Sequence, residues 1–319
     1  MLQKSSTQAS ADAHQASGPR IALFLEEESG SWHVRRLAEA MRRRGGTVVV
    51  TSLPRCAFDT EAQSGIDIPG FDGRLPDGVF VRSISAGTLE QITFRLGILH
   101  ALRESGVRVW NDACAIERCV DKSMTTFLLH RAGIPTPRTR TVEGDAAASA
   151  YVTQTDCSLI FKPLFGSQGK GLVRIETAAN LPEPEAADHM YYLQDFVPPG
   201  GPVFQDWRIV VTKNRVVAAM ARKAGNWITN VFQGGGPIPH EPSTEMQRLA
   251  RAALSAVGAD YAGIDLIRAP GGQLLVLEVN SNPSWKGLQR VADVDIADVI
   301  VEDFLFAVRE HLGQRSCPA

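Results

Sequence analysis

The sequence predicts an α/β fold that opens on a parallel sheet, and three observations carry that expectation. The chain has 319 residues, more than one ordinary hydrophobic core holds, so two or three packed domains are expected. Hydrophobic residues make up 44% and charged residues 21%, the balance of a folded globular protein rather than a disordered one. The opening reads strand, helix, strand, and beyond residue 137 strands and helices alternate to the end without detectable repeats.

Residues 1–18, mostly Ser, Ala, Gln and His without an apolar h-region, read as a disordered tail. Residues 21–25 (IALFL) form a short buried-strand run. Val34, Leu37, Ala38 and Met41 follow at helical spacing, Gly45-Gly46 ends that helix, and the valine-rich run 47–53 is the next strand. This is a Rossmann-like beginning. Glu26-Glu27-Glu28-Ser29-Gly30 stands where a dinucleotide-binding fold has its glycine turn, and three carboxylates there would repel a pyrophosphate, so dinucleotide binding is not expected. Pro, Gly and Asp over residues 54–78 predict a long loop before a strand at 79–81. Thr88 with Gln91 makes a capping box. Ile92, Leu96, Leu99 and Leu102 supply the buried stripe of the helix it starts, before Gly106 and a strand at 107–110. A first domain over residues 19–115 follows. From Asp121 a further helix is expected to carry Met124, Phe127 and Leu128 inward and to stop at Gly133-Ile134-Pro135-Thr136-Pro137, which reads as a hinge.

Composition narrows the function. Lys and Arg number 33 against 35 Asp and Glu, a formal charge of −2, so no overall basic field exists to hold nucleic acid or anionic lipid. No apolar run approaches the roughly 18 residues that cross a bilayer. The five cysteines (Cys56, Cys114, Cys119, Cys157, Cys317) are odd in number and form no C-x-x-C pair, which fits a reduced cytoplasm. The seven histidines lack ligand spacing and are assigned to surface or core. Cytoplasmic small-molecule chemistry is expected, with no nucleic-acid or membrane partner.

Two stretches carry that chemistry. In residues 261–284 (YAGIDLIRAPGGQLLVLEVNSNPS), two apolar strands flank Gly271-Gly272, which suits a two-residue hairpin turn. Such a turn places Asp265 directly opposite Glu278. Asn280, two residues beyond Glu278, projects from the same strand face. Cross-strand carboxylates about 5 Å apart repel by roughly 3 kcal/mol at an effective dielectric of 20, and a divalent cation offsets that directly. An all-oxygen Asp, Glu and Asn set is what hard Mg²⁺ prefers. The bland alternative is a solvated hairpin with incidental acids, but Leu274, Leu275, Val276 and Leu277 are too apolar for a strand wetted on both sides. In residues 158–175 (SLIFKPLFGSQGKGLVRI), Lys162 ends one strand, and a loop bearing Gly166, Gly169, Lys170 and Gly171 precedes the next. Without a G-K-[ST] leading into a helix this is no P-loop and reads as a flexible β-flap, a weak signal alone. Lys122 in the first turn of a helix opposes the macrodipole unless an anion also lies there.

Taken in order, DK at 121–122, FKPLFGSQGKG at 161–171, LQDFV at 193–197, DWR at 206–208, GID at 263–265 and LEVN at 277–280 resemble the ATP-grasp ligases, specifically the RimK-like carboxylate–amine ligases, over residues 20–312. VRSISAGTLEQITFRLGILHAL and ERCVDKSMTTFLLHRAGIPTPRT are most similar to the tetrahydromethanopterin:glutamate ligase branch. The resemblance implies an α+β ATP-grasp arrangement in which a subdomain at 116–190, bearing the flap, and a second at 191–319, bearing the metal site, clamp ATP. It implies that Lys122 and Lys162 contact ATP phosphates or adenine, that Gln194, Asp195, Phe196 and Val197 form the strand along the adenine edge, and that Asp206 faces the ribose. Asp265, Glu278 and Asn280 match the magnesium ligands, with Mn²⁺ as the alternative and two ions per site. Arg208, Arg222 and Asn230 match polar positions that hold the transferring phosphate or the acyl phosphate. One departure stands out: Ile228-Thr229-Asn230 replaces R-S-N, and Phe232-Gln233 replaces a following histidine-arginine, which argues against modification of a protein tail.

The implied reaction is ATP-dependent joining of a small-molecule carboxylate acceptor, such as a tetrahydromethanopterin-like cofactor, to L-glutamate through an acyl phosphate. An alternative keeps this core but glutamylates a protein C-terminus, for which Arg42-Arg43-Arg44 is the one basic cluster; those arginines equally suit the end of a helix. A catalytically silent ATP-binding regulator is a third reading, opposed by the presence of Asp265, Glu278, Asn280 and Lys162. Analogy with relatives implies a homo-oligomer.

Overall fold

The computed structural model describes residues 18–26, 31–166, 169–201, 203–229 and 236–315, so Asn230, Phe232-Gln233 and nearly all of the expected tail lie outside the described residues. The chain divides into two compact units, one running to Ala113 and resuming at Asp295, the other spanning Cys114–Val294.

In the first unit β1 (Arg20–Phe24), α1 (Trp32–Arg43) and β2 (Thr47–Thr51) form the expected strand, helix and strand. After the small ladder of β3 (Ala57–Phe58) and β4 (Ile66–Asp67) come β5 (Gly78–Val81), α2 (Leu89–Glu104) and β6 (Arg108–Trp110). The sheet order is β2-β1-β5-β6, every pair parallel. Val34, Leu37, Ala38 and Met41 are buried along α1, as their spacing requires. Thr88 and Gln91 close the capping box of α2 in both directions, satisfying two otherwise orphaned N–H groups. The buried face of α2 is set by Arg95 with Ile98, Leu99 and Leu102, leaving Ile92 and Leu96 half-buried. The Arg95 guanidinium donates to the carbonyls of Ser85 (2.5 Å) and Ala86 (3.0 Å), pinning the loop before the helix. Residues 54–78 are not simply loop: Ile66, Ile68 and Phe71 are buried, with the Arg20 guanidinium 5.0 Å from the Phe71 ring.

The second unit begins with α3 (Ala113–Val120) and α4 (Lys122–Arg131). Asp121 caps α4 by accepting from Ser123 N (2.8 Å) and Met124 N (3.1 Å). The helix buries Thr125, Leu128 and Leu129, whereas Met124 (37% exposed) and Phe127 (52%) face outward, contrary to expectation. Thr125 takes an inward position, its hydroxyl donating to the Arg118 carbonyl, and Leu128 and Leu129 join the apolar core. An antiparallel sheet follows, order β7-β10-β8-β9, from β7 (Thr139–Glu143), α5 (Asp145–Thr153) on its face, β8 (Leu159–Lys162), β9 (Val173–Ile175) and β10 (Met190–Asp195). A second antiparallel sheet, order β13-β12-β11-β14-β15, comprises β11 (Phe204–Thr212), β12 (Val216–Ala224), β13 (Gly236–Pro239), β14 (Tyr261–Arg268) and β15 (Leu274–Asn280). Between β13 and β14 the chain forms α6 (Thr244–Val257), whose Leu249, Ala253 and Leu254 join Ile209, Ile264 and Val276 in one apolar core. The Pro135 carbonyl accepts from Val276 N (2.8 Å), which ties the expected hinge to the edge of this sheet.

After the short α7 (Lys286–Gln289), the last helix, α8 (Ile296–Arg315), returns to the first unit, so the segment expected as one block over 191–319 is divided. Phe304 packs against Phe80 (5.3 Å between centroids) and Trp110 (5.7 Å). Asp295 pairs with Arg36 (2.6 Å), and Asp298 with Arg44 (2.7 Å) and Arg43 (3.3 Å). Among the described residues no helix is long and apolar enough to cross a membrane.

The β14–β15 hairpin reaches its expected pairing by an unexpected route. Its loop has three residues, not two: Ala269 N donates to Gln273 O, Gly272 N to Ala269 O, and Gly272 takes φ 88°. Arg268 therefore faces Leu274, and Leu266 faces Val276, one residue off the two-residue register. A bulge between Leu266 and Asp265 absorbs Leu277 and restores the pairs Asp265–Glu278 and Gly263–Asn280. A Cβ on Gly263 would meet Cβ of Pro283 at 2.7 Å, and a proline ring yields little. Gly263→Ala is expected to lower stability by about 1–3 kcal/mol, read as a reduced urea midpoint; an unchanged midpoint would mean the Pro283 loop moves freely.

Candidate active site

On β11 the odd-numbered Trp207, Ile209 and Val211 face the apolar core, which turns Asp206 and Arg208 to the opposite face. Neighbouring strands then line up a row of charges: Asp206 faces Arg222 on β12, Arg208 faces Asp265 on β14, and Asp265 faces Glu278 on β15. Arg208 grips Asp265 with two bonds, Nε to Oδ1 (2.7 Å) and Nη2 to Oδ2 (2.6 Å). Arg222 reaches the same carboxylate through Nη2 (3.0 Å) and also grips Asp206, through Nε (2.7 Å) and Nη2. The Arg208 side chain is 15% exposed and that of Arg222 3%. Both oxygens of Asp206, expected at the ribose, accept from a buried guanidinium.

The repulsion between Asp265 and Glu278 is therefore offset here by the guanidinium cations of Arg208 and Arg222. Burial alone would raise the Asp265 pKa, but Arg208 and Arg222 outweigh it and hold the carboxyl at about 2. Burial likewise works against the charge on Arg222, and Asp265 with Asp206 more than restores it, so its pKa lies above the ordinary value. The donor chemistry still suits a hard cation. Glu278 and Asn280 stand on one strand face beside Asp265, and the buried Nδ2 of Asn280 has no hydrogen-bond partner among the described residues. Exchanging the two amide atoms would put an acceptor oxygen at that buried position.

Two lysines come from the other sheet and from α4. Lys162 ends β8, and its ammonium donates to Gln194 Oε1 (2.7 Å). An ammonium only donates, which fixes the Gln194 amide: Nε2 must donate to Tyr192 Oη and Thr139 Oγ1 (both 3.0 Å). The Tyr192 hydroxyl also shares a hydrogen bond with Thr126 Oγ1 (2.8 Å). Burial pulls the Lys162 pKa down to about 8; Lys122 adds to that shift, while Glu278 and Asp265 oppose it. Lys122 spends its three N–H donors on the carbonyls of Pro163 (3.0 Å), Leu164 (3.1 Å) and Gly166 (2.9 Å). Carbonyl oxygens of the flap base thus satisfy the Lys122 ammonium. Burial lowers its pKa against the attraction of Glu278 and Asp121. Gly171 has φ 71°, and a Cβ there would lie 2.8 Å from Pro163 Cγ, so only glycine fits; Gly169 has φ 70°.

Beyond Gln194, Asp195 accepts from Arg138 (3.3 Å), Phe196 N donates to the Ser158 carbonyl (2.9 Å), and Arg174 lies 4.3 Å above the Phe196 ring, just before Val197. The structure thus brings Lys122, Lys162 and Gln194 together, and separately aligns Asp206, Arg208, Arg222, Asp265, Glu278 and Asn280. Sequence reasoning missed Tyr192, Thr126 and Thr139. Tyr192 had a signal, being two residues before Gln194 on the same strand face; the threonines had none.

Residues 119–304 match the profile of the RimK-like ATP-grasp domain. A tetrahydromethanopterin:alpha-L-glutamate ligase of Methanococcus maripaludis is 36% identical over 238 residues, 73% of this chain and 80% of that protein. A probable alpha-L-glutamate ligase of Xanthomonas euvesicatoria pv. vesicatoria is 34% identical over 313 residues, 92% of this chain and 100% of the relative. In fold, the chain is similar to the ATP-grasp ligase PsnB complexed with minimal precursor, Mg and ADP, at a TM-score of 0.69 and 20% identity, covering 91% of this chain and 98% of that one.

Each hydrogen bond from a charged donor is worth about 1.5–3 kcal/mol, so losing one loosens a segment about tenfold or more. Lys122→Met is expected to speed chymotryptic cleavage after Phe165, itself 69% exposed, by at least about that factor at an unchanged melting temperature. Equal cleavage rates would show that Lys122 does not anchor the flap base.

Proposed function

We propose, from the premise that this chain belongs to the RimK-like ATP-grasp ligases, enzymes that form amide bonds, that it joins L-glutamate to the carboxylate of a small acceptor, tetrahydromethanopterin-like or another small cofactor. The observation that carries this reading is the alignment of Arg208, Asp265, Glu278 and Asn280 on one sheet, with Lys162 close enough to feel both carboxylates. The names of the relatives, alpha-L-glutamate ligases, support glutamate as the amine.

An acceptor carboxylate oxygen attacks the γ-phosphorus of ATP, and the bond to the β-phosphate oxygen breaks, giving an acyl phosphate and ADP. The glutamate nitrogen then attacks the acyl carbon, phosphate departs with the C–O electron pair, and the nitrogen loses its proton. No protein nucleophile is needed. Lys162 and Arg208 neutralise charge spreading over the phosphoryl oxygens, and the flap at Gly166, Gly169 and Gly171 keeps water from the acyl phosphate. Gln194 orients Lys162, and the backbone from Asp195 to Val197 lies along the adenine edge. Asp265, Glu278 and Asn280 would hold Mg²⁺ or Mn²⁺, which supplies charge neutralisation across the polyphosphate.

Arg43 and Arg44, two of the three arginines in the protein-tail alternative's basic cluster, pair with Asp298 inside their own unit, which weighs against that reading, while the precursor-bound ATP-grasp ligase similar in fold weighs for it. A mass-spectrometric screen decides between acceptors: protein, MgATP and L-glutamate with pterin-, folate- and furan-type cofactors, and a ribosomal-protein tail peptide in parallel. A glutamyl mass gain on a small cofactor, with ADP released and with none from Glu278→Gln, is expected. A gain confined to the peptide would overturn the small-acceptor reading.

Lys162 adds a pH signature. Its folded-state pKa, near 8, lies below that of the free amine, and a phosphate beside it restores the charged form. Above pH 8 neutral Lys162 becomes the prevailing form of the free protein, so ATP binding takes up a proton there and loses that uptake well below pH 8. Calorimetry in buffers of different ionisation enthalpy should show the uptake in wild-type protein and not in Lys162→Met. Buffer-independent binding by wild type would remove Lys162 from the phosphates.

A further inference from the structure

Tyr192 stands directly opposite Lys162 on the β8–β10 ladder, with the ammonium 5.8 Å from the centre of its ring. It shares a strand face with Gln194, two residues on, while Tyr191 and Leu193 turn into the apolar core on the other side of the sheet. Tyr192 and Gln194 are each 2% exposed, so bulk water does not compete for their hydrogen bonds. Gln194 uses its oxygen on Lys162 and its Nε2 protons on Thr139 and the Tyr192 hydroxyl. Burial raises the Tyr192 pKa against the pull of Thr126 and Thr139, which keeps that hydroxyl a neutral phenol. The same hydroxyl meets Thr126 (2.8 Å), four residues after Lys122 and so on the same face of α4. Lys122 in turn holds the carbonyls of Pro163, Leu164 and Gly166, in the segment that follows Lys162. The helix bearing one lysine is thus tied to the strand bearing the other at two points, the flap base and the Tyr192 hydroxyl.

We propose that Tyr192 is a positioning residue for Lys162: its ring supports the ammonium across the ladder, its hydroxyl keeps the Gln194 oxygen turned toward that ammonium, and its bond to Thr126 ties the arrangement to α4. The inference rests on the reading that Lys162 meets the phosphates of ATP. Removal of the hydroxyl leaves one Nε2 proton of Gln194 buried without its acceptor. An amide held at Thr139 alone can turn over, presenting N–H to an ammonium that has no lone pair to accept it. Lys162 then loses its one fixed oxygen, and its direction with it.

The test is a double-mutant cycle on ATP affinity, measured by calorimetry at pH 7 for wild type, Tyr192→Phe, Lys162→Met and the double variant. Tyr192→Phe keeps the ring and removes only the hydroxyl. It is expected to weaken ATP binding about threefold or more where Lys162 is present, and to change it by less than about twofold where Lys162 is already methionine. That dependence on Lys162 is what a merely structural tyrosine would not show. Thr126→Val, which leaves the tyrosine in place and removes the bond that seats its hydroxyl, is expected to act in the same direction and to add nothing to Tyr192→Phe. Should Tyr192→Phe fail to fold, Thr126→Val takes its place in the cycle. Unchanged affinity in Tyr192→Phe, or the same loss with and without Lys162, would overturn the role of Tyr192 and leave Lys162 at the phosphates. Lys162→Met that binds ATP as tightly as wild type would instead remove Lys162 from the phosphates, and the role of Tyr192 with it.

Discussion

A buried carboxylate beside a second carboxylate persists only where cations are fixed next to it, and this requirement at Asp265 organises the second unit. In a low-dielectric setting, like charges one strand apart cost several times what they cost in water. The sheet answers by cross-strand register, setting Arg208 directly beside Asp265 on β11 and bringing Arg222 in from β12. Asp206 then prevents two guanidiniums from crowding one carboxylate with uncompensated positive charge. The four groups alternate in sign, so each desolvated charge has a counter-charge within hydrogen-bonding distance, the condition under which burial is tolerated.

The hairpin shows how such an arrangement is legible, and where legibility stops. Alternation of apolar residues around Gly271-Gly272 identifies the hairpin and the facing acids, because a strand's side-chain period of two allows few registers. What alternation does not reveal is the turn type or the bulge, since both depend on local backbone angles: φ at Gly272, and the extra residue at Leu277. The two departures have opposite sign and cancel between Leu266 and Asp265. The acids therefore face one another as expected, although the strand segment nearer the loop is displaced by one residue.

Helix phase was legible where one face was plainly apolar, as on α1, and misleading where a polar residue could satisfy itself inside. Thr125 on α4 buries its hydroxyl on the Arg118 carbonyl, and Arg95 on α2 buries its guanidinium on two loop carbonyls. Both take inward positions that a hydrophobicity count gives to Met124 or Leu96. The return of α8 to the first unit was hidden for a related reason. Its apolar stripe fits either sheet by periodicity, and the choice is made by partners distant in sequence: Phe80 and Trp110 on one side, Arg36, Arg43 and Arg44 on the other.

The two lysines extend the same electrostatic logic to the nucleotide side. Lys122 sits close enough to help lower the Lys162 pKa, yet each is provided with oxygens: one amide for Lys162, three carbonyls for Lys122. Those oxygens are neutral, so they satisfy donors without neutralising charge, and a polyanion remains the better partner for both. Geometry separates them further. Lys162 is held from one side by an amide whose orientation is fixed by Tyr192 and Thr139, leaving two donors for a ligand, whereas Lys122 must release at least one flap carbonyl to make a new contact. An anion bound as proposed would meet a preorganised donor at Lys162 and, at Lys122, a donor coupled to the conformation of the flap base.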